Sequence, residues 1–158
     1  MSQLSNYTFD EITIGQSADY SKTVTEQDIQ MFAAVSGDVN PLHLDAEFAA
    51  GTRFGERIAH GMLTASFVSA ALAMKLPGPG CIFMEQSLKF RLPVKIGDQI
   101  NVTLEVAEKN ERRKSISLNC KAYNAEQKLV LTGTSVVVAP AEKLSIPCPA
   151  SPVFRTMD

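Results

Sequence analysis

The sequence predicts an α+β domain, with short helices first, one long buried helix next and an antiparallel sheet last. Three observations carry this reading. Ala59–Leu76 places Met62, Leu63, Phe67, Val68, Ala71, Leu72, Met74 and Leu76 on most faces of a helix, the mark of a buried one. Ile100/Val102/Leu104/Val106 and Ile116/Leu118/Cys120/Ala122 alternate with polar residues, as strands with one buried face do. Leu76-Pro77-Gly78-Pro79-Gly80 ends the helix and separates the two regimes.

The elements follow in order. Met1–Gly15 reads as a polar lead-in, and Ser17–Thr25 as a strand through Ala18, Tyr20 and Thr23-Val24. Thr25 suits a helix N-cap, with Glu26 and Asp28 at the positive end of the helix dipole. Ile29, Phe32 and Ala33 form its apolar stripe, and Gly37 supplies a left-handed stop. Asp38–Leu44 is predicted to hold no regular helix, because Pro41 pushes Asn40 to an extended conformation. Asp45 caps a short helix to about Ala50, and Gly51–Arg57 is a polar loop.

After the central helix, Cys81–Leu92 is a strand that runs into Pro93 and a Gly97-Asp98 turn. Lys109–Lys114 turns between the two alternating strands, and Leu129–Val138 is the last one. The tail, Ala139–Asp158, carries Pro140, Pro147, Pro149 and Pro152, which are expected to break any regular element. The expected division is a domain over 1–138 and a proline-rich tail over 139–158, an extended strap or a loose end.

Composition removes several function classes. A chain of 158 residues, 45% hydrophobic and 20% charged, suits one globular domain. Its net charge of -2 argues against nucleic acid held mainly by positive charge. Cys81, Cys120 and Cys148 stand apart, which makes neither a disulfide framework nor a zinc site. The N-terminus lacks a signal-like pattern, and Gly61–Leu76 is too short and too interrupted to span a membrane. A soluble, reduced, cytoplasmic protein is expected. No GxSxG elbow, Walker loop, Rossmann fingerprint or HExxH is present.

The candidate chemistry gathers in one stretch. The two histidines, His43 and His60, flank the same loop system, and Asp38 lies five residues before His43. Asn40-Pro41 between them imposes a bend that can aim a carboxylate and an imidazole at one point. Such a pair can serve as general base and general acid toward water. The alternative is a turn-capping Asp and a satisfied buried His. His60-Gly61 opens the central helix, where free N–H groups can stabilise an oxyanion; a helix start with a glycine for close packing explains it equally. Ser66 and Ser69 share a helix face and either line a pocket or let the helix lie close to the sheet. Lys89 and Arg91, with Ser87, share one face of their strand and suit phosphate groups or plain solvent.

Ser36-Gly37-Asp38-Val39-Asn40-Pro41-Leu42-His43-Leu44-Asp45 closely resembles the active-site motif of MaoC-like (R)-specific enoyl-CoA hydratases. Phe48-Ala49-Ala50, Ile58-Ala59-His60-Gly61-Met62-Leu63 and Gln86-Ser87-Leu88-Lys89-Phe90-Arg91-Leu92-Pro93-Val94 resemble that family in the same order. The resemblance runs from about Asp10 to Val138.

The resemblance implies a hot-dog fold, a sheet wrapped round the central helix, working as a homodimer or a higher homo-oligomer. It implies reversible syn addition of water to a trans-2-enoyl-CoA, giving an (R)-3-hydroxyacyl-CoA. Asp38 and His43 would activate the water, and Gly61 N–H would bind the thioester oxygen. Asn40, His60, Ser66, Ser69, Lys89 and Arg91 are the expected substrate-side residues. No metal or redox cofactor is expected, since backbone dipoles would supply the polarisation, and CoA enters as part of the substrate. A hot-dog thioesterase, a dehydratase acting on acyl-carrier protein, and a non-catalytic acyl-CoA or acyl-carrier binding module remain as alternatives.

Overall fold

A computed structural model describes residues 2–155; the tail's last residues, 156–158, lie outside the described residues. In chain order the elements are β1 (Gln3–Ser5), β2 (Ser17–Thr23), α1 (Glu26–Ser36), α2 (Pro41–Leu44), α3 (Ala46–Ala50), α4 (Gly61–Met74), β3 (Ile82–Phe90), β4 (Gln99–Asn110), β5 (Ser115–Tyr123), β6 (Leu129–Val138) and β7 (Ser145–Pro147). The main sheet is antiparallel, with strand order β2-β4-β5-β6-β3. β3 bonds only to β6 and leaves its other edge free among the described residues.

The alternating strands behave as their period dictates. Ile100, Val102, Leu104 and Val106 from β4 and Ile116, Leu118, Cys120 and Ala122 from β5 are all buried on one sheet face. Against it α4 lays Leu63, Phe67, Val68, Ala71 and Leu72. At roughly 1.5–3 kcal/mol for each large apolar side chain buried, this contact is the main stabilising layer of the domain.

α1 is built as its ends require. Thr25 Oγ1 accepts from Asp28 N–H while the Asp28 carboxylate accepts from Thr25 N–H, a reciprocal capping box. Gly37 closes the helix at φ 77, a conformation that favours glycine.

Several expectations change. The central helix begins at Gly61, not Ala59, and its burial is one-sided: Met62, Ser66 and Ala73 face outward, because a single sheet covers only half of a helix. Pro41–Leu44 forms one helical turn, since proline at the first helical position gives up no intrahelical bond. Asn40 is extended (φ -52, ψ 126) as expected, and its side chain caps that turn at Leu42 N–H.

The tail does hold a regular element: β7, with Pro147 inside it, pairs antiparallel with β1. Pro147 is tolerated because a two-stranded ribbon has free edges. The polar lead-in is likewise anchored. Phe9 and Ile12 are buried, and Lys109 Nζ donates to both of their carbonyls. Asn6, only 1% exposed, donates to Pro79 O and Glu142 O and accepts from Leu144 N–H, tying lead-in to tail.

Candidate active site

The loop between α1 and α2 brings Asp38 to the head of α4. Gly37 turns the chain out of α1, and Pro41 starts α2, so residues 38–40 form a short exposed bend. Within it the Asp38 carboxylate accepts from Asn40 N–H at 3.2 Å, and Asp38 N–H donates to Ser36 Oγ at 3.1 Å. The carboxylate is exposed and keeps acceptor capacity free.

His43 follows on α2 and is buried. Its Nδ1 lies 2.8 Å from Ile58 O, and a carbonyl can only accept, so Nδ1 carries the hydrogen. Nε2 is therefore the bare nitrogen, available as a base. One donor atom each from Asp38, His43 and His60 lie within 4.8 Å of one another. Such a set has the makeup of a metal site. However, one nitrogen of each ring already bonds a carbonyl, His43 to Ile58 and His60 to Asp38.

Gly61 is the first residue of α4, so its N–H has no intrahelical acceptor and sits at the positive end of the helix dipole. It lines a cavity of about 240 Å³ with Phe54, Thr64, Phe90 and Arg91 among its walls. The cavity is largely apolar, but Arg53 and Arg91 add positive charge to it. The chemistry on offer is proton transfer to and from water beside a carboxylate and an imidazole, with a backbone donor for a negative oxygen.

The other expected residues are distributed unevenly. Asn40 shapes the loop: its side chain caps α2, and its N–H holds the Asp38 carboxylate. His60, 2% exposed, lies beneath the loop, and its Nε2 contacts Asp38 O. Ser66 Oγ donates to Leu63 O within its own helix, and Ser66 lines an outer groove against α1 with Phe32 and Val35, away from the Gly61 cavity. Ser69 is half-buried on α4 and does not line that cavity. Arg91 does line it, and also joins Lys89, Lys121, Thr132 and Thr134 in a second, basic groove on the sheet.

Three contributors escaped sequence reasoning. Ile58 acts through its carbonyl, which any residue supplies, so no side-chain signal exists. Phe90 reaches the helix head only through the fold, although its place on the apolar face of β3 was readable. Arg53 sits in a loop whose path depends on Arg57, which pairs with Glu26 and donates to Leu44 O.

An antiparallel sheet packed on one central helix is the hot-dog architecture. Residues 10–127 match the profile of the MaoC like domain. The chain is 44% identical over 133 residues to an (R)-specific enoyl-CoA hydratase of Rhodospirillum rubrum, covering 84% of this chain and 92% of that one. It is 40% identical to a 3-hydroxybutyryl-CoA dehydratase of Methylorubrum extorquens, over 88% of each chain. Among solved structures, the unliganded R-hydratase PhaJ1 of Pseudomonas aeruginosa superposes with a TM-score of 0.93 at 46% identity, over 99% of this chain and 100% of that one. The chain belongs to the MaoC-like domain family.

Proposed function

We propose that this protein is an (R)-specific enoyl-CoA hydratase, adding water reversibly to trans-2-enoyl-CoA thioesters. The observation that carries the reading is the clustering of Asp38 and His43, each with a ligand atom within 4.8 Å of the other. Ile58 O accepts from His43 Nδ1, which leaves Nε2 bare to act as the base. Relatives that are 40–44% identical over most of the chain bear hydratase or dehydratase names, which supports the same chemistry here.

The steps balance with one water. Water held between Asp38 and His43 gives a proton to the dyad as its oxygen bonds to C3. The C2–C3 π pair moves toward the thioester oxygen, which Gly61 N–H receives. The dyad then returns the proton to C2 on the same face, and the carbonyl reforms. The reading calls for no metal or redox cofactor, since polarisation comes from the α4 terminus and CoA arrives with the substrate. Lys89 and Arg91 are the proposed partners of the CoA phosphates.

The working particle in this reading is a homodimer. The free edge of β3 exposes Ile82, Phe83 and Met84 at 58%, 42% and 59%, an apolar edge that a second copy would cover. No described helix is long and apolar enough to cross a membrane, and we place the activity in the cytoplasm. Residues 1–138 would form the catalytic domain, with 139–158 as a strap.

Hydration of crotonyl-CoA, followed as loss of enoyl-thioester absorbance, tests the activity. Asp38→Asn and His43→Ala should each lower kcat by roughly 10²–10⁴-fold in folded protein. Free thiol release in place of hydration would mean a thioesterase, and an (S) product would overturn the stereochemical assignment.

A further inference from the structure

His60 is buried at a cost that packing alone does not explain. Its flat ring lies between Phe32, at 4.9 Å and 51°, and His43, stacked at 3.8 Å and 29° between centroids and planes. Its Nε2 donates to Asp38 O at 3.0 Å, so Nδ1 carries no hydrogen. That nitrogen is fully buried and has no hydrogen-bond partner among the described residues. A buried acceptor left bare carries its full desolvation penalty. Phenylalanine would fill the same space without that cost. What phenylalanine lacks is the Nε2 hydrogen.

That hydrogen reaches the one place where the site lacks other long-range support. Asp38 N–H bonds to Ser36, Val39 N–H to Gly37 O and Asn40 N–H to Asp38, all within the bend. Among the described hydrogen bonds of residues 38–40, only His60 Nε2 to Asp38 O ties the bend to a distant part of the chain. The same ring stacks on the His43 imidazole, and the next residue is Gly61. Carboxylate, base and oxyanion donor are all keyed to one side chain.

We propose that His60 is the positioning residue of this site. Its Nε2–H sets the Asp38 backbone, and its ring sets the His43 imidazole, at fixed distances from Gly61 N–H. The inference rests on the hydratase reading above. It adds that the second histidine works through Asp38 and His43 and does not touch substrate. Misplacing a reacting group by about 1 Å can cost on the order of 100-fold in rate, so the effect belongs in kcat.

Two near-isosteric variants isolate the hydrogen. His60→Gln keeps an N–H donor at similar reach, and His60→Met does not. With crotonyl-CoA, H60M should lose roughly 10- to 100-fold in kcat with KM little changed, and H60Q should recover most of that loss. His60→Phe should keep or raise Tm while kcat stays low, whereas a merely structural histidine would lose both together. The proposal is overturned if H60M turns over as fast as H60Q, or if folded H60F keeps wild-type kcat. Should neither Gln nor Met variant fold, H60F alone decides. Failure of the hydratase reading would show separately, as no turnover by the wild-type chain.

Discussion

The ring of Phe90 lies against the Cα of Gly61. A Cβ added at Gly61 would sit 3.0 Å from Phe90 Cε1 and 3.2 Å from Cζ. The last residue of β3 therefore forms a wall at the head of α4, and the two residues share one cavity. Glycine is needed here for a close approach, with no unusual backbone angle involved.

Gly61→Ala should displace Phe90 and lower kcat/KM by roughly tenfold or more. Phe90 is half exposed, so its ring has room to move. Phe90→Ala in the Gly61→Ala background should return part of the loss. Steady-state kinetics on the double-mutant cycle checks the coupling; additive effects would count against contact as the cause.

Stability should depend on pH through Asp28. Desolvation, the largest single influence, raises its pKa, but hydrogen bonds from Thr25 N–H and Oγ1 and from Lys22 outweigh it. The net result lies below the ordinary value of 3.8. A folded-state pKa below the unfolded one stabilises above the unfolded value, and the contribution fades as pH falls through the folded value. Asp28→Ala should therefore cost about 0.5–1 kcal/mol near neutral pH, within the range for an acidic side chain in the first turn of a helix. The gap between variant and wild type should narrow below about pH 4, as read from urea melts at several pH values.

Gly133 is the tightest glycine in the sheet. A Cβ there would fall 1.9 Å from Ser87 O, on the neighbouring strand β3. Gly133→Ala must part β3 from β6 or fail to fold. A loss of more than about 3 kcal/mol is expected, measured by denaturant unfolding.

The free β3 edge makes a prediction about mass. Met84 sits at the register shift between Phe83 and Glu85 and is mostly exposed. Met84→Asp should leave the fold intact and convert a dimer to a monomer in light scattering. A wild-type chain already monomeric at micromolar concentration would sink the homodimer proposal.

Much of this molecule is legible in local chemistry. The Thr25–Asp28 capping box, the Gly37 stop, the Asp45 cap and the buried alternation of β4 and β5 are short-range consequences of residue type and period. That Asp38, His43 and Gly61 would come to one loop and one helix start was likewise readable, because a proline-bent loop and a helix start are local signals. The one-sided exposure of α4 was not. Its apolar surround reports that something covers the helix, without saying whether one sheet or a second chain does so.

Residue type and spacing were enough to order most of the elements and to single out Asp38, His43 and Gly61 as candidates. Which nitrogen of each imidazole is left bare depends on how distant segments pack. His43 is left with a bare Nε2 because Ile58 O, fifteen residues away, takes the hydrogen on Nδ1. His60 is buried with its Nε2 hydrogen on Asp38 O, twenty-two residues earlier, which leaves its Nδ1 bare. Backbone carbonyls made both decisions. Every residue has one, so no pattern of side chains along the chain could reveal which would be near.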